Sequence, residues 1–73
     1  MINKRTAQEI SDSVILKLKE ERIKQGISQY RIAQDTGMSK SSILYIENLT
    51  QRPTLYTVIL LANYLKIDLK KIL

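Results

Sequence analysis

Seventy-three residues allow one small domain with one core and leave no room for a separate effector domain. The chain has no cysteine and no histidine, so disulfides, thiol chemistry and the usual zinc sites are excluded, and no cofactor is expected. Twelve Lys and Arg against seven Asp and Glu give a net charge of +5, which suits a polyanionic partner and is equally compatible with simple solubility.

In chain order, Met1 to Asp12 is polar, so no signal peptide is expected. Thr6-Ala7-Gln8-Glu9 has the form of a capping box, which predicts a flexible tail over 1–5 and a first helix from Ala7 to about Gln25, ended by Gly26. Lys4 and Arg5 then belong to a polar tail, where such residues commonly have no role. Ile10, Val14 and Leu18 recur every four residues and are expected to face inward.

Residues 28 to 48 hold two short helical patterns meeting at a glycine, each opened by a serine. Ser28 can accept from the free N–H groups of a first turn, so a second helix is expected over about 29 to 36. Ile32 and Ala33 share its inner face, and Ala33 leaves room for a close crossing. Gly37 supplies the positive φ that ends the helix and turns the chain. Ser39 caps a third helix over about 40 to 48. There Ile43 and Ile46 face the core and leave Lys40, Ser41, Leu44, Tyr45 and Asn48 outside.

A loop through Arg52 and Pro53 comes next. Thr54 then caps a fourth helix to about Leu65, with Leu55, Val58, Leu61, Ala62 and Leu65 inward. Its apolar stretch Val58 to Ala62 is far short of the roughly 20 residues needed to span a bilayer, so no membrane partner is expected. Tyr56, Leu60 and Tyr64 form a second stripe on that helix, and a helix apolar on two sides is usually buried on both. With Leu69, Ile72 and Leu73 this stripe is the expected homodimer interface; Leu16 with Ile23 on the first helix is the rival. Asp68 can cap a last short helix. The result is an all-α fold of five helices and no strand, with one compact domain over 6–73.

The ordered series Gly26-Ile27-Ser28-Gln29, Ile32-Ala33, Gly37, Ser39, Ile43, Ile46-Glu47-Asn48, Arg52-Pro53-Thr54-Leu55 and Leu61-Ala62 resembles the lambda-type phage repressor, Cro and Xre-like helix-turn-helix family. Each match is weak alone; the fixed order over about sixty residues carries the resemblance. It implies a sequence-specific double-stranded DNA-binding transcriptional regulator, a dimeric repressor on a near-palindromic operator, in the cytoplasm of a prokaryote, phage or plasmid host. It further implies that Lys40, Ser41, Leu44 and Tyr45 meet base edges. Ser28, Gln29, Ser39, Asn48, Gln51 and Arg52 would lie along the DNA backbone. Arg22 and Glu47 match positions that form a salt bridge orienting the reading helix.

Two departures from the family pattern concern the loop. Leu49 stands where glycine is usual, so the reading helix is expected to end differently or to run further, and the loop to Arg52-Pro53 is about one residue shorter than in some relatives. Charge is also not concentrated in the reading unit. Residues 28 to 54 hold Arg31, Lys40 and Arg52 against Asp35 and Glu47, while the excess sits in Lys4, Arg5, Lys17, Lys19, Lys24, Lys66, Lys70 and Lys71.

Two other classes compete. An enzyme would need a nucleophile and base, paired carboxylates or a metal, and these residues offer none of those patterns. A protein-interaction module on the same fold, such as an antitoxin that binds a partner protein and DNA only secondarily, is the stronger alternative.

Overall fold

The computed structural model describes residues 4–73 as α1 (Lys4–Lys24), α2 (Gln29–Thr36), α3 (Lys40–Glu47), α4 (Leu55–Tyr64) and a 3₁₀ turn at Leu69–Lys71. No strand occurs among the described residues. The fold class is all-α as expected, with four α-helices rather than five. The last element is a single 3₁₀ turn, because Lys71 N–H bonds Asp68 O and Ile72 N–H bonds Leu69 O, both three residues back.

The side-chain caps expected at Ser28, Ser39, Thr54 and Asp68 all form. The Oγ atoms of Ser28, Ser39 and Thr54 accept from the N–H groups of Arg31, Ser42 and Thr57 at 3.0, 3.0 and 3.2 Å. Asp68 Oδ1 accepts from Lys70 N–H at 3.1 Å. The start of α1 differs. It begins at Lys4, because Lys and Arg are good helix formers and Arg5 bonds Glu9 one turn on at 3.1 Å, which extends the helix past the Thr6 signal. Of the expected tail, residues 1–3 lie outside the described residues.

Every α-helix ends in the same way, with a bond from the N–H of a residue just past its end back to the last turn. Ile27 bonds Arg22 O, Met38 bonds Ala33 O, Thr50 bonds Tyr45 O and Ile67 bonds Ala62 O, all at 2.9 to 3.1 Å. This Schellman closure requires a left-handed residue just before the donor. Gly26 and Gly37 supply it in two cases, with φ of 73° and 76°; Leu49 and Lys66 supply it in the others, with φ of 67° and 60°. So α3 stops after Glu47 even though Leu49 replaces the expected glycine. Three of the four donors, Ile27, Met38 and Ile67, then fold back against the core.

The core is Val14, Ile15 and Leu18 of α1, Ile32 and Ala33 of α2, Ile43 and Ile46 of α3, and Leu61, Ala62 and Leu65 at the end of α4. Two residues expected inside are not. Ile10 is 43% exposed, because a four-residue step turns each side chain about 40° further round the helix, and α1 buries its side chains only from Val14 onward. Ile15, not Ile10, completes that face. Leu55 is 71% exposed, since it opens α4 at the outer edge of the bundle.

Candidate nucleic-acid interface

The motif around Gly37 begins with packing. Ile32 and Ala33 on α2 and Ile43 and Ile46 on α3 are all buried, and this shared core fixes how the two helices cross. What α3 does not bury, it presents: Lys40, Ser41, Leu44 and Tyr45 are all exposed. Positions i, i+1, i+4 and i+5 lie along one stripe of a helix, so the four side chains form a continuous outer ridge. A lysine, a hydroxyl, an aliphatic and an aromatic group can between them donate to a purine edge, accept from an amine and cover a methyl group.

The ridge is held from behind by a buried polar network. Arg22 and Glu47 are each 8% exposed, and the guanidinium donates to both carboxylate oxygens, Nε to Oε2 at 2.6 Å and Nη2 to Oε1 at 2.9 Å. Arg22 Nη1 also donates to Ile27 O at 2.6 Å, and Gln29 Nε2 donates to Glu47 Oε1 at 3.0 Å. The end of α1, the α1–α2 turn, the start of α2 and the end of α3 therefore meet at one ion pair. A bidentate fork fixes orientation as well as distance, so it holds the end of α3 in one position behind the exposed ridge. The salt bridge expected from residues 25 apart is present. Gln29, expected only against the DNA backbone, is a further member of the network.

The other expected backbone residues divide by what already holds them. Ser28 and Ser39 use their oxygens as helix caps, and the Ser39 hydroxyl also donates to Ser42 Oγ at 2.9 Å. Asn48 Oδ1 accepts from the Thr50 N–H at 3.1 Å and from its hydroxyl, which closes the turn after α3. Gln51 and Arg52 are exposed on the loop leading to α4. That loop faces Ser11 and Asp12 of α1 across a cleft of about 170 Å³.

Of the expected dimer stripe, Tyr56 and Leu73 stay exposed, while Leu60, Tyr64, Leu69 and Ile72 are half-buried. Tyr64, Leu69 and Ile72 pack on the chain's own core. Tyr64 also donates its hydroxyl to Asp35 Oδ2, and Arg31 Nε donates to the same oxygen at 2.8 Å. These bonds hold the Asp35 carboxyl below the usual carboxylate range, the tyrosine hydrogen bond first and that from Arg31 second. The bond to Asp35, chiefly, pushes the Tyr64 phenol above its ordinary value. Nothing in the sequence pairs positions 29 residues apart, so this tie between α2 and α4 was not legible.

No helix among the described residues is long and apolar enough to cross a membrane. A family model described as helix-turn-helix, of the Xre, Cro and lambda-repressor type, matches residues 18–72, three-quarters of the chain. Neither a curated protein nor a solved structure matches it.

Proposed function

The chain belongs to the helix-turn-helix family of Xre, Cro and lambda-repressor type, a family of DNA-binding regulators, and from that premise we propose that it is a sequence-specific repressor. It would bind a near-palindromic double-stranded operator as a homodimer, in the cytoplasm. The observation that carries this reading is the exposed ridge Lys40, Ser41, Leu44 and Tyr45 on a helix whose opposite face is locked into the core.

In this reading α3 lies in the major groove. Lys40 donates to guanine O6 and N7, Ser41 donates or accepts, and Leu44 with the Tyr45 ring covers a thymine methyl. The backbone N–H groups at the starts of α2 and α3 that Ser28 and Ser39 leave uncapped take phosphates beside Gln29, as do Asn48, Gln51 and Arg52 at the end of α3 and on the loop beyond it. Two copies related by a two-fold axis set their α3 helices about 34 Å apart, one turn of DNA.

Fluorescence anisotropy of the chain on promoter-proximal and scrambled duplexes, across a salt series, tests it. A preference of about 10³ or more that falls on Lys40→Ala or Tyr45→Ala supports base reading by α3. Equal, steeply salt-dependent binding to both duplexes overturns it and favours the second reading, a module that binds a partner protein such as a toxin. That second reading draws on the apolar residues exposed on α1 and α4.

A further inference from the structure

We propose that Asp12, on the first half of α1, sets how tightly Arg52 holds a DNA phosphate by facing that arginine with a carboxylate. The inference rests on the reading of the chain as a DNA-binding protein, and it adds to that reading a residue that works against binding. Ser11, Asp12 and Ile15 of α1 form one wall of the cleft of about 170 Å³, and residues 49–53 form the other. Asp12 is the carboxylate of that cleft and Arg52 its cation; no other charged residue lines it. Asp12 also precedes residues 18–72, so this wall is an addition to the helices that the family model matches.

Three features support this role. Asp12 is half-buried, yet among the described residues its carboxylate has no hydrogen bond or salt bridge, and neither has the Arg52 guanidinium. Both charges are therefore open to whatever enters the cleft. The two walls are also held. Asp12 lies within α1, and the loop is anchored because the N–H groups of Thr50 and Gln51 both bond Tyr45 O, at 3.0 and 3.1 Å, while the Pro53 ring locks φ of the residue after Arg52. Arg52 extends from a fixed point opposite a fixed carboxylate. The separation is in range as well. Walls that enclose so small a cleft lie within the Debye length, about 8 Å at physiological salt, so the two charges act on each other and on a phosphate beside them.

A phosphate drawn to Arg52 brings a second negative charge toward Asp12, and their repulsion offsets part of the attraction. Every nucleotide carries the same phosphate, so the offset is independent of base sequence. Asp12 thus lowers the affinity for all duplexes alike and leaves discrimination among them to Lys40, Ser41, Leu44 and Tyr45. Its leverage is large because the reading unit has few cations to spare: Arg31 is tied to Asp35, and Lys40 stands on the ridge.

Fluorescence anisotropy of the full chain on a preferred and a scrambled duplex tests the inference, with far-UV circular dichroism as the check on folding. Asp12→Asn keeps the shape and removes the charge; it is expected to tighten binding to both duplexes by the same factor, about fivefold at low salt, and the gain should close toward about 0.5 M salt. Glu20→Gln removes the same charge eight residues further along α1, roughly 12 Å by the helix rise and beside Ile67 and Ile72, and is expected to change affinity less than about twofold. In an Arg52→Gln background Asp12→Asn is likewise expected to change affinity less than about twofold. Weaker binding by Asp12→Asn, an equal gain from Glu20→Gln, or a gain that survives Arg52→Gln overturns the inference. If Arg52→Gln weakens binding while Asp12→Asn changes nothing, the opposing role of Asp12 alone falls. If the wild type holds neither duplex, the DNA reading falls and takes the inference with it.

Discussion

At the scale of single residues, the buried Arg22–Glu47 pair is the most exposed to failure. Both groups are nearly sealed from water, so removing one leaves the other charged and unpaired. Glu47→Ala is expected to cost about 3 kcal/mol in urea unfolding, whereas replacing both by apolar residues, Arg22→Met with Glu47→Leu, is expected to recover most of it. The recovered protein would still have lost the fork that orients α3, so its duplex preference should remain reduced while its stability returns. That split separates orientation from stability. The Tyr64–Asp35 bond gives a second residue-scale expectation. Asp35 titrates below its ordinary value, so its contribution is present above about pH 4 and is lost as pH falls through the lowered value. Tyr64 titrates above its ordinary value, so its contribution is present below about pH 10 and is lost as pH rises through the raised value. The difference in thermal midpoint between the wild type and Tyr64→Phe should therefore hold steady between those limits and close beyond both.

Among the elements, the starts of α2, α3, α4 and the last turn were legible, that of α1 was not, and at two of the four stops the left-handed residue was not. Ser28, Ser39, Thr54 and Asp68 cap within three residues of themselves, so a local reading finds them. Gly26 and Gly37 announce their turns by residue type. Leu49 and Lys66 announce nothing. Their left-handed backbone is imposed by the next residue in the chain: Thr50 must bond Tyr45, and Ile67 must return to the core. An L-residue held there stores about 1 kcal/mol that glycine would not. Lys66→Gly, which sacrifices only an exposed side chain, is expected to raise stability by about 1 kcal/mol, and Gly37→Ala to lower it by a similar amount. Equilibrium urea unfolding of both variants checks the pair. Ile10 and Leu55 were misread for a different reason. Periodicity reports which face a residue lies on and says nothing of whether a neighbour stands opposite it. In the candidate site the ridge on α3 was legible, because one helix and one period define it. The carboxylate junction at Glu47 was legible only in its arginine, and Gln29 joins it through a fold-level contact.

For the whole molecule, the distribution of charge decides how DNA can be held. The net charge of +5 lies mostly on α1 and the C-terminal residues, while Lys40 and Arg52 are the cations of residues 28–54 that form no salt bridge among the described residues. If α3 is the part that meets DNA, two copies bring only about four such cations to phosphate, and the logarithm of affinity should fall with the logarithm of salt at a slope near −4. Arg52→Gln removes one per copy and should bring the slope to about −2 while leaving the preferred sequence unchanged, because a phosphate contact carries register and no base identity. A slope near −8, unaffected by that substitution, would place the DNA against the lysines of α1 and the C-terminus instead. Titrations at five salt concentrations on one specific duplex separate the two geometries, and they do so whichever base sequence the protein prefers.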